Sequence, residues 1–232
     1  MPGKIAAVIG STGLIGGHLI NCLQQDDSFT AIRALVRRPV SFQQPKAEMK
    51  LVNFDDYESV KIALDGSDAV FCTIGTTQKK VKGNKDAYRK VDFSIPVNAA
   101  RICAEIDCSQ FLLVSSVGAN SKSKNFYLAL KGEVEDAIQQ FSIPQVSIFR
   151  PSVLLGKRPE FRLGEKIGQS VMSFFSFLLL GKSEKYRPIN AETVAKAMIQ
   201  AAKEGNPGFT VYEFDEIRRK AATLNTVQIA SY

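Results

Sequence analysis

Two serines, a tyrosine and a lysine are spaced in this chain so that they can do chemistry together. Ser115 and Ser116 close an apolar run, Tyr127 follows eleven residues after Ser116, and Lys131 follows four residues later. Residues four apart on a helix share a face. A phenol with a reference pKa near ~10 is a poor acid or base at neutral pH, but a neighbouring ammonium favours the phenolate and lowers that value. Such a pair can exchange a proton with a carbonyl or alcohol oxygen that Ser116 orients, while hydride moves between a nicotinamide and the carbon. Ser115 is the alternative to Ser116, because one residue of strand register decides which of them faces the site. A tyrosine and lysine at this spacing are common by chance, so the pair carries meaning through the elements around it.

The first of those elements is Lys4 to Gly17, KIAAVIGSTGLIGG. An apolar strand stops at Gly10, Gly13 and Gly16 follow at three-residue spacing, and a helix pattern begins. Strand, glycine turn and helix present unpaired N–H groups and a positive dipole end to a diphosphate. The spacing is GxxGxxG, not the GxGxxG of the dinucleotide fingerprint. In that fingerprint an acid some ~20 residues further on holds the ribose 2′-hydroxyl. Here the second strand ends in LVRR, Leu35 to Arg38, with no acid. A guanidinium pairs with a 2′-phosphate that a carboxylate would repel, so Arg37, with Arg38 beside it, points to NADP(H). Asp55 and Asp56 after the third strand, and Gly75, Thr76 and Thr77 after the fourth, fall at the same edge of the sheet. Asp55 is placed to meet the adenine, and Gly75 and Thr76 to meet the second ribose.

Taken in order, the pattern predicts strands at 5–9, 29–36, 49–54, 68–74, 110–114, 145–149 and 210–214. Helices are predicted at 14–25, 55–64, 87–106 with an interruption at Pro96, 126–141, 164–180 and 191–204. Asp55 or Asp56 caps the second helix and Asn190 the last. Strands alternating with helices give a Rossmann-type, doubly wound α/β fold, with a mainly parallel sheet, helices on both faces and ligands beyond the carboxyl ends of the strands. We read 1–232 as a single domain, with 1–150 as the nucleotide-binding core and 151–232 as substrate-side segments that return to the sheet.

At 232 residues, 45% hydrophobic and 23% charged, the chain can bury a full core. No run reaches the ~18 apolar residues of a membrane span. The first strand begins almost at once, and Cys22, Cys72, Cys103 and Cys108 form no CxxC pair. Both features read as a cytoplasmic protein with reduced thiols. The single histidine, His18, lies directly after the glycine loop, which argues against a Ser-His-Asp hydrolase and against a His/Cys zinc site. A net charge of +7 suits an anionic small ligand. Nucleic acid is the weaker reading, since no aromatics interleave the basic clusters.

With these residues in place, the sequence resembles the short-chain dehydrogenase/reductase superfamily, and within it the atypical branch of Tat-interacting-protein-like oxidoreductases. The segments that carry the resemblance are GSTGLIG, LVRR, FCTIGTT, AYRKVDF, FLLVSSVGANSKSKNFYLALKGEVE and SIFRPSVLLGKRPEFRLGE, and they cover roughly the first 165 residues. The resemblance implies that Thr12, Gly13, Leu14 and Ile15 face the pyrophosphate and that Arg37 and Arg38 take the 2′-phosphate. It implies that Ile74 and Gly75 line the nucleotide, that Tyr127 and Lys131 form the active pair, and that Leu154 and Arg162 close over the nicotinamide half. Many members carry an Asn in the helix after the fourth strand; this chain has Asp92 there, placed to pair with Lys131 or to hold the same water.

Two functions are carried forward. One is an NADP(H)-dependent oxidoreductase acting on a small carbonyl or alcohol. The other is an NADPH-binding regulatory or interaction protein with little turnover, which Asp92 and the apolar stretch 170–180 favour. That stretch reads as a core helix, a pocket wall, a homodimer or protein-partner surface, or a membrane-surface helix.

Overall fold

The computed structural model describes residues 3–76, 81–156 and 186–229, with side chains as far as residue 224. The strands are β1 (Lys4–Ile9), β2 (Phe29–Val36), β3 (Ala47–Leu51), β4 (Ala69–Cys72), β5 (Gln110–Val114), β6 (Gln145–Phe149), β7 (Leu154–Leu155), β8 (Ile189–Asn190) and β9 (Gly208–Tyr212). The helices are α1 (Leu14–Gln24), α2 (Tyr57–Leu64), α3 (Lys85–Arg89), α4 (Ile95–Glu105), α5 (Phe126–Ile138), α6 (Ala191–Glu204) and α7 (Phe214–Ile229), with a π-helical turn at Lys90–Ser94 between α3 and α4. Seven strands form one parallel sheet in the order β3-β2-β1-β4-β5-β6-β9, and β7 pairs with β8 beside it. This is a Rossmann-like α/β fold.

Alternate residues of the central strands point to opposite faces, and both faces are covered. Ala6 and Val8 join the core under α1, α6 and α7, while Ala7 and Ile9 join the core under α2, α4 and α5. That double burial explains why β1 and β4 read as unbroken apolar runs. The strand order reverses between β1 and β4, which opens a crevice at their carboxyl ends. At the other edge, Lys4, Gln110 and Gln145 donate to the carbonyls of Ala201 and Ala202 and so close the C-terminal end of α6.

Several boundaries differ from expectation. β3 ends at Leu51 rather than at 54, because the Asn53 side chain accepts from the Asp55 N–H and Asp56 caps α2 through the amides of Glu58 and Ser59. Asn190 precedes α6 but makes no side-chain cap. The helix expected over 87–106 is broken by the π turn: Pro96 has no N–H to give to the carbonyl of Asp92, so a regular α ladder cannot run through it. α7 was not expected. Its residues Phe214, Ile217, Ala221 and Leu224, set among charged and polar neighbours, are buried in the core that includes α6. The helix expected at 164–180 lies outside the described residues.

Asp26, at the end of α1, ties that helix to α6. Its carboxylate accepts from Lys203 Nζ at 2.9 Å and from the Ser28 N–H at 2.9 Å. Burial pushes the carboxyl up, but the bonds from Lys203 and Ser28 outweigh it and hold the group below its ordinary value. A depressed folded-state pKa stabilises the protein above the unfolded value of about 3.9 and is lost as pH falls through the folded value. Asp26→Asn should therefore cost roughly 1.5–3 kcal/mol at neutral pH, the range for a hydrogen bond to a charged group. It should also flatten the acid limb of stability, as urea denaturation against pH would show. Parallel acid limbs in the two proteins would refute the assignment.

Candidate nucleotide and proton-transfer site

The glycine loop is held tightly by the fold itself. Gly10 has φ +88°, and a Cβ there would lie 2.9 Å from the backbone of Thr73 and Ile74. A Cβ on Gly16 would run into the carbonyl of Gly10 and come within 2.8 Å of Ser11 Cα. These two glycines let β1, the loop, α1 and the end of β4 share one small volume. Gly13 is the N-cap of α1 and supplies no side-chain cap, and no acid stands in the first turn. The amides that open α1 thus have neither a side-chain cap nor an acid of their own first turn beside them. Ser11, within the loop, is 2% exposed, and its hydroxyl has no hydrogen-bond partner among the described residues. A buried, unsatisfied hydroxyl at an uncapped helix start fits an anionic group such as a diphosphate.

From this loop a continuous chain of contacts leads to the tyrosine and lysine. Thr73 Oγ1 donates to the Ile9 carbonyl at 3.1 Å, which fixes the β4 loop against β1. Three residues on, the Thr76 N–H donates to Asp92 Oδ2 at 2.8 Å. Asp92 Oδ1 accepts from Lys131 Nζ at 3.0 Å, with both side chains buried. The Lys131 ammonium lies 5.8 Å from the centroid of the Tyr127 ring. Burial opposes the charge on Lys131, but Asp92 and then the Tyr127 phenol outweigh it, so the lysine sits above its ordinary range and stays cationic at neutral pH. Tyr88 closes this cluster from α3, its hydroxyl 3.3 Å from the Thr76 carbonyl and its ring edge-on to Phe126.

The serine register follows from charge. Ser115 Oγ donates to Glu135 on α5, and Arg150, at the end of β6, clamps both oxygens of the same carboxylate, with Nε at 3.1 Å. Ser116 Oγ makes a single long contact of 3.4 Å with the Val117 carbonyl. Ser115 is thus committed to an ion-pair network, and Ser116 has the less engaged hydroxyl. Glu135 and Arg150 were not among the residues picked from sequence. Tyr127, Lys131 and Glu135 recur at four-residue spacing, so the stripe was there to be read on one face of α5.

The remaining residues lie around the same sheet edge. Arg37 and Arg38 extend from the end of β2 and are exposed; among the described residues neither makes an ion pair. Asp55 is exposed and paired with Lys90 of the π turn at 2.7 Å, so its carboxylate already has a cation. Thr12 is exposed, Leu14 half-buried and Ile15 buried at the start of α1. Ile74 and Gly75 lead out of β4, and a Cβ on Gly75 would be 3.6 Å from Asp92 Oδ1. Leu154 sits in β7, and two residues later Gly156 packs by Leu14, where a Cβ would come within 3.1 Å of Leu14 Cδ1. That contact brings the β7 segment to the start of α1. Arg162 and the stretch 170–180 lie outside the described residues, as does Thr77.

Residues 10–205 match the sequence profile of a family described as NAD(P)H-binding. The chain is 31% identical over 206 residues to "Protein FMP52, mitochondrial" of Candida albicans, covering 87% of this chain and 89% of that protein. It is 30% identical over 202 residues to rat "Protein HTATIP2", covering 86% and 81%. It belongs to the NAD(P)H-binding, atypical branch of the short-chain dehydrogenases/reductases. Among solved structures, Bordetella bronchiseptica WbmF in complex with NAD+ superposes with a TM-score of 0.69 at 14% identity, covering 97% of this chain and 78% of that one. At that identity the likeness is one of fold. The family is described as NAD(P)H-binding, and the uncapped start of α1 and the Ser11 hydroxyl, at the crevice between β1 and β4, suit such a ligand. No helix among the described residues is long and apolar enough to cross a membrane.

Proposed function

We propose that this protein is an NADP(H)-dependent oxidoreductase acting on a small carbonyl or alcohol. The observation that carries the reading is the unbroken line of contacts from the glycine loop through Thr73, Thr76, Asp92 and Lys131 to Tyr127. The first-turn amides of α1, with Gly13 and Ser11, are suited to hold the diphosphate. Arg37, with Arg38 beside it, is suited to pair with a 2′-phosphate, and Ile74, Gly75 and Thr76 to flank the ribose. When bound, the nicotinamide supplies the hydride. Tyr127 exchanges a proton with the substrate oxygen, Lys131 keeps positive charge beside the phenol, and Ser116 donates a hydrogen bond that orients the same oxygen. We infer a reducing compartment from the free cysteines, three of them buried. Cytoplasm fits that reading, and so does the mitochondrial placement in the names of the fungal relatives.

The alternative, a nucleotide-binding regulatory protein, is favoured by the neutralising Asp92–Lys131 pair. Two measurements separate the readings. NADPH and NADH are titrated by nucleotide fluorescence, and NADPH oxidation is followed by its near-ultraviolet absorbance over a panel of carbonyls that includes phenanthrenequinone. The enzyme reading expects tight NADPH binding and turnover of at least one carbonyl. Binding without turnover across the panel would leave the regulatory reading standing. Arg37→Ala should weaken NADPH roughly ten- to hundredfold, the equivalent of about 1.5–3 kcal/mol for a lost charged hydrogen bond, and should leave NADH little changed. Equal losses for both nucleotides would refute the 2′-phosphate assignment.

A further inference from the structure

β3, five residues from Ala47 to Leu51, is an edge strand of the sheet. The Ile32 N–H donates to the Lys46 carbonyl and the Val52 N–H to the Val36 carbonyl, so the even-numbered residues turn their backbone groups toward β2. The odd-numbered residues turn theirs outward. The Ala47 N–H is already used, on the Gln44 carbonyl at 2.9 Å. The N–H groups and carbonyls of Met49 and Leu51, and the carbonyl of Ala47, have no hydrogen-bond partner among the described residues. Of the four large apolar side chains exposed among the described residues, three stand at this edge: Met49 at 39%, Leu51 at 58% and Ile62 at 76%. Ile62 comes from α2 and shares with β3 a groove of about 300 Å³. One exposed leucine is ordinary, but three such residues along an unpaired strand mark a contact surface.

The charges on the strand say what fits it. Edge strands are commonly guarded by unbalanced charge, proline or a bulge. β3 has no proline, its pairing with β2 runs without a bulge, and Glu48 and Lys50 form an ion pair that cancels their charge. Those two residues flank Met49 symmetrically. Ala47 packs toward the core under α1, so by alternation Glu48 and Lys50 share the α2 face. We propose that β3 pairs with β3 of a second copy of this chain, antiparallel and in register at Met49, about a two-fold axis. In that register Met49 exchanges both backbone bonds with its counterpart, and each Leu51 N–H reaches the opposite Ala47 carbonyl. Glu48 of each copy then lies opposite Lys50 of the other, a favourable cross-strand pair made twice. Sliding the strands so that Met49 meets Leu51 would set Lys50 against Lys50, so charge selects the first register. A foreign strand has no need of this symmetry, whereas a second copy supplies it by construction. The surface is separate from the β1–β4 crevice, and the proposal does not depend on what binds there.

The test is sedimentation equilibrium of the full chain from about 1 µM to 1 mM, the range in which a small interface of this kind associates. The wild type should pass from the mass of one chain to that of two. Glu48→Lys and Lys50→Glu each place like charges opposite one another twice across the joint, so each alone should weaken the dimer about tenfold or more. Both positions are at the surface, and circular dichroism checks that the fold is kept. An equimolar mixture of the two variants should dimerise again, because each then presents the charge the other lacks. A wild type that stays monomeric throughout overturns the proposal and leaves the edge to a foreign strand. A dimer that neither variant weakens places the interface elsewhere and also overturns it. A mixture that stays as weak as its components overturns the antiparallel register at Met49.

Discussion

Tyr127→Phe is expected to slow NADPH-dependent carbonyl turnover by roughly 10²- to 10⁴-fold, the range for losing a positioned general acid. Nucleotide affinity should stay close to wild type. Phenylalanine keeps the ring that lies 5.8 Å from the Lys131 ammonium, so packing and the cation–ring contact survive. What disappears is the hydroxyl, the group that would hand a proton to the oxygen as hydride arrives at the carbon. Lys131 cannot take over, because its ammonium already donates to Asp92 and it is held above its ordinary pKa. Initial rates with phenanthrenequinone, beside a nucleotide titration of both proteins, make the check. A variant with wild-type kcat would remove Tyr127 from the chemistry, and a variant that no longer binds NADPH would assign it to the nucleotide instead.

Gly16→Ala should damage both stability and binding. The new methyl would lie 2.7 Å from the Gly10 carbonyl carbon and 2.8 Å from Ser11 Cα, distances that real side chains do not adopt. The loop has no room to retreat. Gly10 already lies against the backbone of Thr73 and Ile74, and its carbonyl accepts the Gly13 N–H at 2.8 Å. Relief therefore requires α1 to lift from the sheet, which opens the packing of Ile15, Leu19 and Leu23 and turns its first amides away from the crevice. Overpacking of this kind costs about 1–3 kcal/mol, a sizeable part of the roughly 5–15 kcal/mol that holds a domain folded. Urea denaturation should show the loss, and nucleotide titration a fall in affinity. Wild-type values in both would mean that the helix start is less tightly set than its contacts indicate.

Much of this molecule was legible from local pattern. The bounds of β2, β5, β6 and α6 follow from apolar runs and periodicity, because each of those elements is buried on a face whose period the sequence must match. The glycine spacing announced a tight strand–helix turn, since no other residue fits where Gly10 and Gly16 sit. Other features depended on segments far apart in the chain. α7 was invisible because apolar residues scattered among many charged and polar ones do not hold a helix by themselves, and packing against the core around α6 supplies the rest. Pro96 was seen as a break, but that the break would form a π turn and aim Asp92 at Lys131, 39 residues away, is a matter of how α4 and α5 pack.

The chemical groups themselves were determined by the sequence: a tyrosine and a lysine on one helical face, two serines at a strand end, an arginine where an acid would select the 2′-hydroxyl. Spacing along a helix or strand is a local property, and local properties survive folding. Tertiary structure alone decided how those groups are engaged. Glu135 and Arg150 take up Ser115 and leave Ser116 the freer of the two, and Asp92 joins Lys131 to the amide of Thr76. The reason is that buried charges must find partners, and only the packed sheet and helices determine which partner lies within three ångströms.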